Sequence, residues 1–338
     1  MVFNQSNDMK SKIIKLAHAP HGLPRVTDFK LEEEPMVGVA ENELWLKPLY
    51  FSVDPYLRAA MAGEHPPLLH PGDVIVSRAI AEVIESTHKG FKIGDIVTGY
   101  MEWRNNMIRN TDGLNLIEIS ELPLSAYLGV LGTTGLSAYF ALKEIGKPKQ
   151  GETIVVSGAA GAVGSIAGQI GKLLGCRVIG IVGNDEKANY IQSELGFDGA
   201  INYKTTPNIE AAIIGLCKDG VDVYFDNVGG EISDGVIARM NNYGRVVVCG
   251  SIANYNDTAI SMGPRLLPQV VFKKLLIQGF LIGDYKDRFA EGRAVLQQWL
   301  KDGKIKNMET IVNDFDKLPE AFIGLFTGKN EGKMIVKI

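Results

Sequence analysis

Residues Thr153–Gly164 read TIVVSGAAGAVG, an apolar run that ends in glycines spaced GxxGxxG at Gly158, Gly161 and Gly164. A short apolar run bounded by glycine predicts a buried strand, and the residues after it, Val163–Leu174, predict a helix rich in small side chains. Glycines at such a junction permit a tight turn, let a pyrophosphate approach backbone N–H groups, and let the helix pack closely on the sheet. The helix N-terminus adds orphan donors and a dipole that favours negative charge. Alone the glycine spacing is common; the strand before it and the helix after it give it weight as a dinucleotide turn.

Toward the C-terminus the alternation continues. Strands are expected at Arg177–Gly183 (RVIGIVG), Ala200–Tyr203, Val221–Asp226 (VDVYFD), Arg245–Gly250 (RVVVCG) and Lys274–Leu281. Helices are expected between them over Glu186–Leu195, Ile209–Cys217 and Ser233–Met240. Six strands joined by helical crossovers imply a parallel, doubly wound six-stranded sheet, so an α/β fold. Toward the N-terminus the texture changes near residue 125. Short β-type runs stand at Leu44–Tyr50, Asp73–Ser77, Ala79–Glu85 and Ile96–Tyr100, with Gly90–Asp95 (GFKIGD) as a tight connection. These suggest an all-β barrel or sandwich. The end of the chain, Lys333–Ile338, is again β-like, and the segment from Lys306 is expected to return to the first domain. The expected division is therefore 1–128 completed by 306–338, and 129–305.

The 338 residues carry a net charge of −4, with 46% hydrophobic and 22% charged residues. This balance gives no electrostatic footprint for nucleic acid, although it leaves room for a local basic pocket. Met1–Lys12 is polar, without the apolar core of a signal peptide, and no run reaches the ~18 apolar residues of a membrane span. Cys176, Cys217 and Cys249 are the only cysteines and form neither a zinc ribbon nor an even disulfide set. A cytoplasmic protein is expected.

The tip of the second strand separates the two nicotinamide cofactors, because an NAD site places a carboxylate there for the ribose 2′-hydroxyl. Here Gly183-Asn184 stand at the tip, Asp185, Glu186 and Lys187 follow, and Tyr203-Lys204 end the third strand. Uncharged tip residues, a cation just beyond and a phenol alongside suit a 2′-phosphate, so NADPH is expected over NADH. The alternative is that Asp185 and Glu186 are first-turn helix acids and Lys187 is their solvated partner.

Several runs carry a family resemblance: Ala159–Lys187 (AAGAVGSIAGQIGKLLGCRVIGIVGNDEK), Tyr224–Glu231 (YFDNVGGE), Val248–Asn256 (VCGSIANYN), Ser52–Met61 (SVDPYLRAAM) and Gly328–Ile338 (GKNEGKMIVKI). Together they resemble, in the same order from about Leu44 to the C-terminus, the prostaglandin reductase / alkenal double-bond reductase family. These are zinc-free members of the medium-chain dehydrogenase/reductase superfamily, and bacterial curcumin reductase-type proteins are similar. The resemblance implies a GroES-like β-barrel domain plus a Rossmann domain, with NADPH/NADP bound. It implies that Gly161, Ala162, Val163 and Gly164 cradle the pyrophosphate, and that Lys187 and Tyr203 meet the 2′-phosphate. Asn227, Cys249, Gly250, Ser251, Ile252, Tyr255, Phe280, Leu281, Ile282 and Asn330 would line the nicotinamide half. Asn227 and Asn330 also have a purely structural reading as turn formers. By the same analogy the protein is expected to be a homodimer paired through a last edge strand over Lys273–Phe280.

Zinc relatives with this plan carry a Gly-His-Glu motif where this chain reads Ser77-Arg78-Ala79-Ile80-Ala81-Glu82, and no cysteine precedes Cys176. The histidines at 18, 21, 65, 70 and 88 show no ligand spacing, so no metal is expected. Without a Lewis acid, alcohol oxidation is the weaker candidate. Conjugate reduction needs a hydride donor, a positioned substrate and a hydrogen bond to the developing enolate oxygen. Tyr255, just beyond the fifth strand, is the leading candidate for that hydrogen bond or for the α-proton, with Tyr56 second. A loop tyrosine also packs its ring and caps backbone groups, and Arg58 reads more readily as a structural partner. The expected substrate is a small hydrophobic enone or alkenal, walled by Ala62–Pro71 and Tyr255–Pro268. A quinone reductase and a cofactor-binding protein without catalysis are the alternatives.

Overall fold

The structure, a computed structural model, describes residues 9–63 and 68–338. His65, Pro66 and Pro67 of the expected pocket loop lie outside them. The chain divides into two compact units. The first takes in the described residues up to Leu128, with Thr310–Lys329 and Met334–Ile338; the second takes in Gly129–Glu309 and Asn330–Lys333.

The first unit opens with an antiparallel pair, β1 (Lys10–Leu16) and β2 (Phe29–Pro35). Neither strand is foreseen from the sequence. Lysines and glutamates interrupt the apolar alternation, and Lys15 reaches Glu32 at 2.8 Å and Glu34 at 3.0 Å across the pair. The main strands are β3 (Glu43–Ser52), β4 (Val76–Ser86), β5 (Ile96–Glu102), β6 (Met107–Asn110) and β7 (Asn115–Leu116), with helix α1 (Tyr56–Met61) between β3 and β4. The runs Asp73–Ser77 and Ala79–Glu85 are not two strands: β4 is continuous from Val76 and slips register against β3 at two places. Such bulges let one long strand bend where two short ones are expected. Alternate residues of β3 and β4 face a core that includes Leu46, Phe51, Val83, Met101 and Trp103. Trp103 is fully buried and donates its indole N–H to Ser77 Oγ at 2.9 Å.

The second unit contains helix α2 (Thr133–Ala141) and six strands: β8 (Thr153–Ser157), β9 (Arg177–Val182), β10 (Gly199–Asn202), β11 (Val221–Asp226), β12 (Met240–Val248) and β13 (Leu276–Gly279). They form one parallel sheet in the order β10-β9-β8-β11-β12-β13. Helices α3 (Gly164–Leu173), α4 (Asp185–Ser193), α5 (Ile209–Leu216), α6 (Gly230–Ile237) and α7 (Leu267–Lys273) follow the successive strands, and α8 (Phe289–Lys301) follows β13. The sheet is therefore the doubly wound arrangement expected from the alternation. Its central strands are buried on both faces, which explains their unbroken apolar runs. The chain begins in the middle, winds outward through β9 and β10, and then returns to β11. The direction reverses between β8 and β11, and the crevice beyond their carboxyl ends is the expected ligand position of such a sheet.

The remaining chain forms β14 (Glu309–Asn313), α9 (Leu318–Phe326) and β15 (Lys333–Lys337). With β14 and β15 added, the sheet of the first unit runs β14-β15-β3-β4-β5-β7, and β6 pairs with β3.

Candidate functional site

The turn after β8 takes its shape from two glycines. Gly158 has φ 59°, a left-handed conformation that side chains disfavour. Gly164 opens α3 so close to the turn that a Cβ there would lie 2.3 Å from the Gly158 carbonyl oxygen. Between them the Gly161 N–H donates to that same oxygen at 2.9 Å, and Ser165 N–H donates to Gly161 O at 3.0 Å. Val163, which caps α3, offers no side-chain acceptor to the helix's first N–H groups. Such an end suits an anion better than a self-capped one.

A second segment completes this turn. Gly332 N–H donates to Ala160 O at 2.7 Å, and Gly161 and Gly332 form a parallel bridge. Asn330 folds back on the same segment, its amide donating to Gly332 O at 2.9 Å. Asn330 thus lies beside the glycine turn, within the second unit.

At the tip of β9, Asn184 caps α4 by accepting the Lys187 N–H at 2.8 Å. Asp185 is engaged elsewhere: its Oδ1 accepts from Asn202 at 2.7 Å. Lys187 is only 9% exposed. Burial pulls its ammonium below the usual lysine range, the Lys204 charge adds to this, and Glu331 opposes it. Tyr203 stands 3.2 Å and Lys204 3.6 Å from where a Cβ on Gly183 would sit, so both close on the glycine at the strand tip. Two cations and an exposed phenol are thereby gathered where an NAD site would present a carboxylate.

Beyond β11 and β12 the two strand ends are laced together. Asn227 donates its side-chain amide to Ser157 O at 2.7 Å and its backbone N–H to Ser157 Oγ at 3.0 Å. It is therefore a clasp between β8 and β11 as well as a turn residue. Cys249 and Gly250 N–H both donate to the Asp226 carbonyl, at 2.8 and 3.1 Å, and Ala253 N–H donates to Val228 O at 2.9 Å. Burial, aided by Asp226, pushes the Cys249 thiol up to about 12. Tyr255 folds back toward Ser251, whose N–H donates to the phenol oxygen at 3.4 Å, and Ser251 Oγ donates to Asn254 at 2.8 Å. Ile252 lies in the same loop, its N–H reaching Asn227 O at 3.5 Å. Phe280 joins the tip of β12 through its N–H to Val248 O at 3.0 Å, while Leu281 is exposed and Ile282 half-buried. The loops after β8, β11, β12 and β13 thus bring the candidates of the second unit to the carboxyl end of one sheet. Asp226 and Ser157, which organise that end, are not singled out by the sequence reading; their only signal is a polar residue closing each apolar strand.

Tyr56 belongs to the first unit, at the start of α1. The residue is partly exposed, yet the protein packed around its hydroxyl, with Asp54 and Tyr100 nearby, raises the phenol above its ordinary value against the pull of Arg78. Arg58 is structural: its guanidinium donates to Pro20 O and Gly22 O, each at 3.1 Å. Where zinc relatives carry ligands, Ser77 accepts the Trp103 indole and Arg78 lies 5.2 Å over the Tyr100 ring. No group of three or more His, Cys, Asp or Glu converges for a metal among the described residues. Cys176 and Cys217 are buried thiols in the second unit, pushed up to about 11 by burial, and so poor thiolate donors. These residues do not fit a zinc site.

Comparison with known proteins agrees with this geometry. The family described as zinc-binding dehydrogenase matches residues 162–298, and that described as the N-terminal domain of oxidoreductase matches residues 12–117. The NADPH-dependent curcumin reductase of Escherichia coli (strain K12) is 39% identical over 96% of this chain and 95% of its own. The 2-alkenal reductase (NADP(+)-dependent) of Nicotiana tabacum is 36% identical over 98% of this chain and 99% of its own. Among solved structures, CurA from Vibrio vulnificus in complex with NADPH superposes with a TM-score of 0.91 at 38% identity, covering 96% of this chain and 98% of that one. Full-length likeness of this order, with the dinucleotide turn intact, shows that the chain belongs to the medium-chain dehydrogenase/reductase superfamily, in its prostaglandin reductase and alkenal double-bond reductase family.

Proposed function

We propose that this chain is an NADPH-dependent reductase of carbon–carbon double bonds conjugated to a carbonyl, acting on small hydrophobic enones or alkenals. The observation that carries the cofactor is the grouping of Lys187, Lys204 and Tyr203 at the tip of β9, with Asp185 drawn away to Asn202. The donor set fits the group: a cradle at Gly158–Gly164 that a Cβ would fill, and two ammonium groups for a 2′-phosphate. Gly161–Gly164 would hold the pyrophosphate. Asn227, Cys249–Ile252, Phe280–Ile282 and Asn330 would flank the nicotinamide half. When bound, NADPH supplies the hydride that adds to the β-carbon.

The residues of the chain do the rest. Tyr255 presents a phenol at the nicotinamide end, where it would donate a hydrogen bond to the substrate oxygen or hand a proton to the α-carbon. Tyr56 is the second phenol of the reading. Within the first unit, Leu57, Ala60, Leu68 and Leu69 line a hollow of about 300 Å³, with Asp73 and Glu102 also on its wall.

The reading makes the protein a cytoplasmic homodimer. Its three cysteines are unpaired thiols, as a reducing compartment favours. No helix among the described residues is long and apolar enough to cross a membrane. Strand β13 is one of the two edges of the parallel sheet, and Leu267, Val271 and Phe272 of the adjoining α7 are exposed, a face suited to a second copy.

NADPH absorbance should fall with a medium-chain alkenal and fall little with a simple quinone. The reverse preference would replace this reading by quinone reduction, and cofactor binding without turnover of any enone would leave a non-catalytic protein. Tyr255→Phe should lower kcat more than it weakens NADPH binding; unchanged turnover removes Tyr255 from the mechanism.

A further inference from the structure

Asp226, the last residue of β11, is 4% exposed and carries an unusual load of hydrogen bonds. Its Oδ1 accepts from Tyr224 OH at 2.8 Å, Ser157 Oγ at 2.9 Å, and the N–H groups of Val228 and Gly229 at 3.0 Å each. Its Oδ2 accepts from Ser233 Oγ. Its main-chain carbonyl accepts the N–H groups of Cys249 and Gly250. One residue thus joins the end of β8, the loop after β11, helix α6 and the end of β12.

All five groups that donate to the carboxylate are neutral. A buried carboxylate costs stability unless its charge is met by good hydrogen bonds, and a well-packed apolar residue is often the more stable choice. What a carboxylate supplies, and an apolar side chain does not, is acceptor capacity for many donors converging from different segments. The donors here come from the end of β8, from β11 itself, from the turn that follows Asn227 and from α6, whereas the Cys249–Gly250 backbone is held by the main-chain carbonyl alone. Ser157 extends the hub: its hydroxyl donates to Asp226 and accepts the Asn227 N–H, while its carbonyl accepts the Asn227 amide.

We propose that the Asp226 carboxylate is the positioning group of the nicotinamide half of the site, acting through Ser157 and Asn227 on one side and the Val228–Gly229 turn and Ser233 on the other. The proposal rests on the cofactor reading above. Asp226 touches no substrate; it sets where the strand-tip loops stand. The Lys187–Tyr203–Lys204 end shares none of these hydrogen bonds, so the two halves of the cofactor site should respond separately to its loss.

The test titrates the full chain with two probes: NADP⁺, and 2′,5′-ADP, which has the adenine and 2′-phosphate but no nicotinamide. Wild type is compared with Asp226→Ala, Ser157→Ala and Asp226→Asn. In the two alanine variants the Kd for NADP⁺ should rise at least about tenfold, the scale of one buried donor left unpaired, while that for 2′,5′-ADP stays within about twofold. Asp226→Asn should recover most of the NADP⁺ affinity, since its amide oxygen still faces Val228 and Gly229 and its NH₂ can donate to Ser233 Oγ. Equal losses for both probes, or an unaffected NADP⁺ affinity, would overturn the proposal. Should Asp226→Ala not fold, Ser157→Ala and Asp226→Asn decide the question. A wild-type protein that binds NAD⁺ in place of NADP⁺ overturns the cofactor reading alone, and the same comparison is then made with NAD⁺ and 5′-AMP.

Discussion

Replacing Lys187 with methionine removes one charge from the tip of β9 while keeping an apolar stem where α4 buries it. Two unit charges 4 Å apart attract by about 4 kcal/mol at the effective dielectric of a protein surface, an upper figure for an ammonium against the cofactor's 2′-phosphate. The net value is smaller, because Tyr203 and Lys204 are exposed and solvent screens the phosphate. Hydrogen bonds to charged groups contribute about 2 kcal/mol net, which at 1.4 kcal/mol per decade is about 30-fold. Steady-state kcat/KM with NADPH should therefore fall about 30-fold, and with NADH, which lacks the phosphate, by less than about threefold. A fall of equal size for both cofactors, or none for NADPH, would refute the placement of the 2′-phosphate. Stability should move the other way. Burial holds the Lys187 pKa below 10.5, so between the folded value and 10.5 the unfolded chain binds more protons, and stability rises with pH. Below that window the folded chain carries a charge its surroundings disfavour. Lys187→Met should thus raise Tm at neutral pH, and the gain should shrink as pH nears 10.5.

Gly164→Ala forces a Cβ to within 2.3 Å of the Gly158 carbonyl oxygen, so the turn and helix must part by about 1 Å. Fluorescence titration should show NADPH bound at least about tenfold more weakly, whereas Gly215→Ala, which meets nothing within 4 Å, should leave binding unchanged. With its thiol pushed up to about 12, Cys249 should react with iodoacetamide at pH 8 at least about a hundredfold more slowly than a free thiol; mass spectrometry showing rapid labelling of the native protein would contradict this. Arg245 donates to Gly146 O at 2.9 Å, to Lys147 O at 3.1 Å and to both oxygens of Glu152, so Arg245→Met should cost about 2–3 kcal/mol in urea unfolding. Burial alone would push the Glu152 carboxyl up, but hydrogen bonds from Arg245 and the Lys149 N–H hold it below 4.5. That stabilisation is complete above 4.5 and is lost as pH falls through the lowered folded value, so the variant should show a weaker acid dependence.

The parallel sheet was legible because its central strands are apolar on both faces and helices α3 to α6 open at or just after glycine or asparagine, so the period changes visibly from strand to helix. The first unit was less so. In β1 the lysines of KSKIIKL hide the alternation until their partners Glu32–Glu34 on β2 are known, and those lie across a pairing that no local pattern shows. Helix α6 starts at Gly230, ahead of the expected Ser233, because Gly229 and Gly230 both take positive φ to enter it and neither marks a start by type. In the candidate site, the glycine turn, Lys187 and the Tyr255 loop have a distinctive type at a distinctive place, and so stand out in the sequence as candidates. Asp226 and Ser157 do not, since their importance lies in how many partners meet at them, and partners are a property of three dimensions.

The clip formed by Gly332 on Ala160 bears on how the protein is made. Translation delivers strand β13, the last of the parallel sheet, well before Gly332, and domains tend to fold as they are synthesised. A nascent chain can thus hold the whole nucleotide sheet while its phosphate turn still lacks the N–H that binds Ala160. A premature stop just ahead of Gly332 would leave every strand of that sheet in place and the turn unfinished. It would also take β15 out of the first unit's sheet, where it stands between β14 and β3 with Met334, Ile335 and Val336 buried, so the last few residues complete both the phosphate turn and the other unit's core.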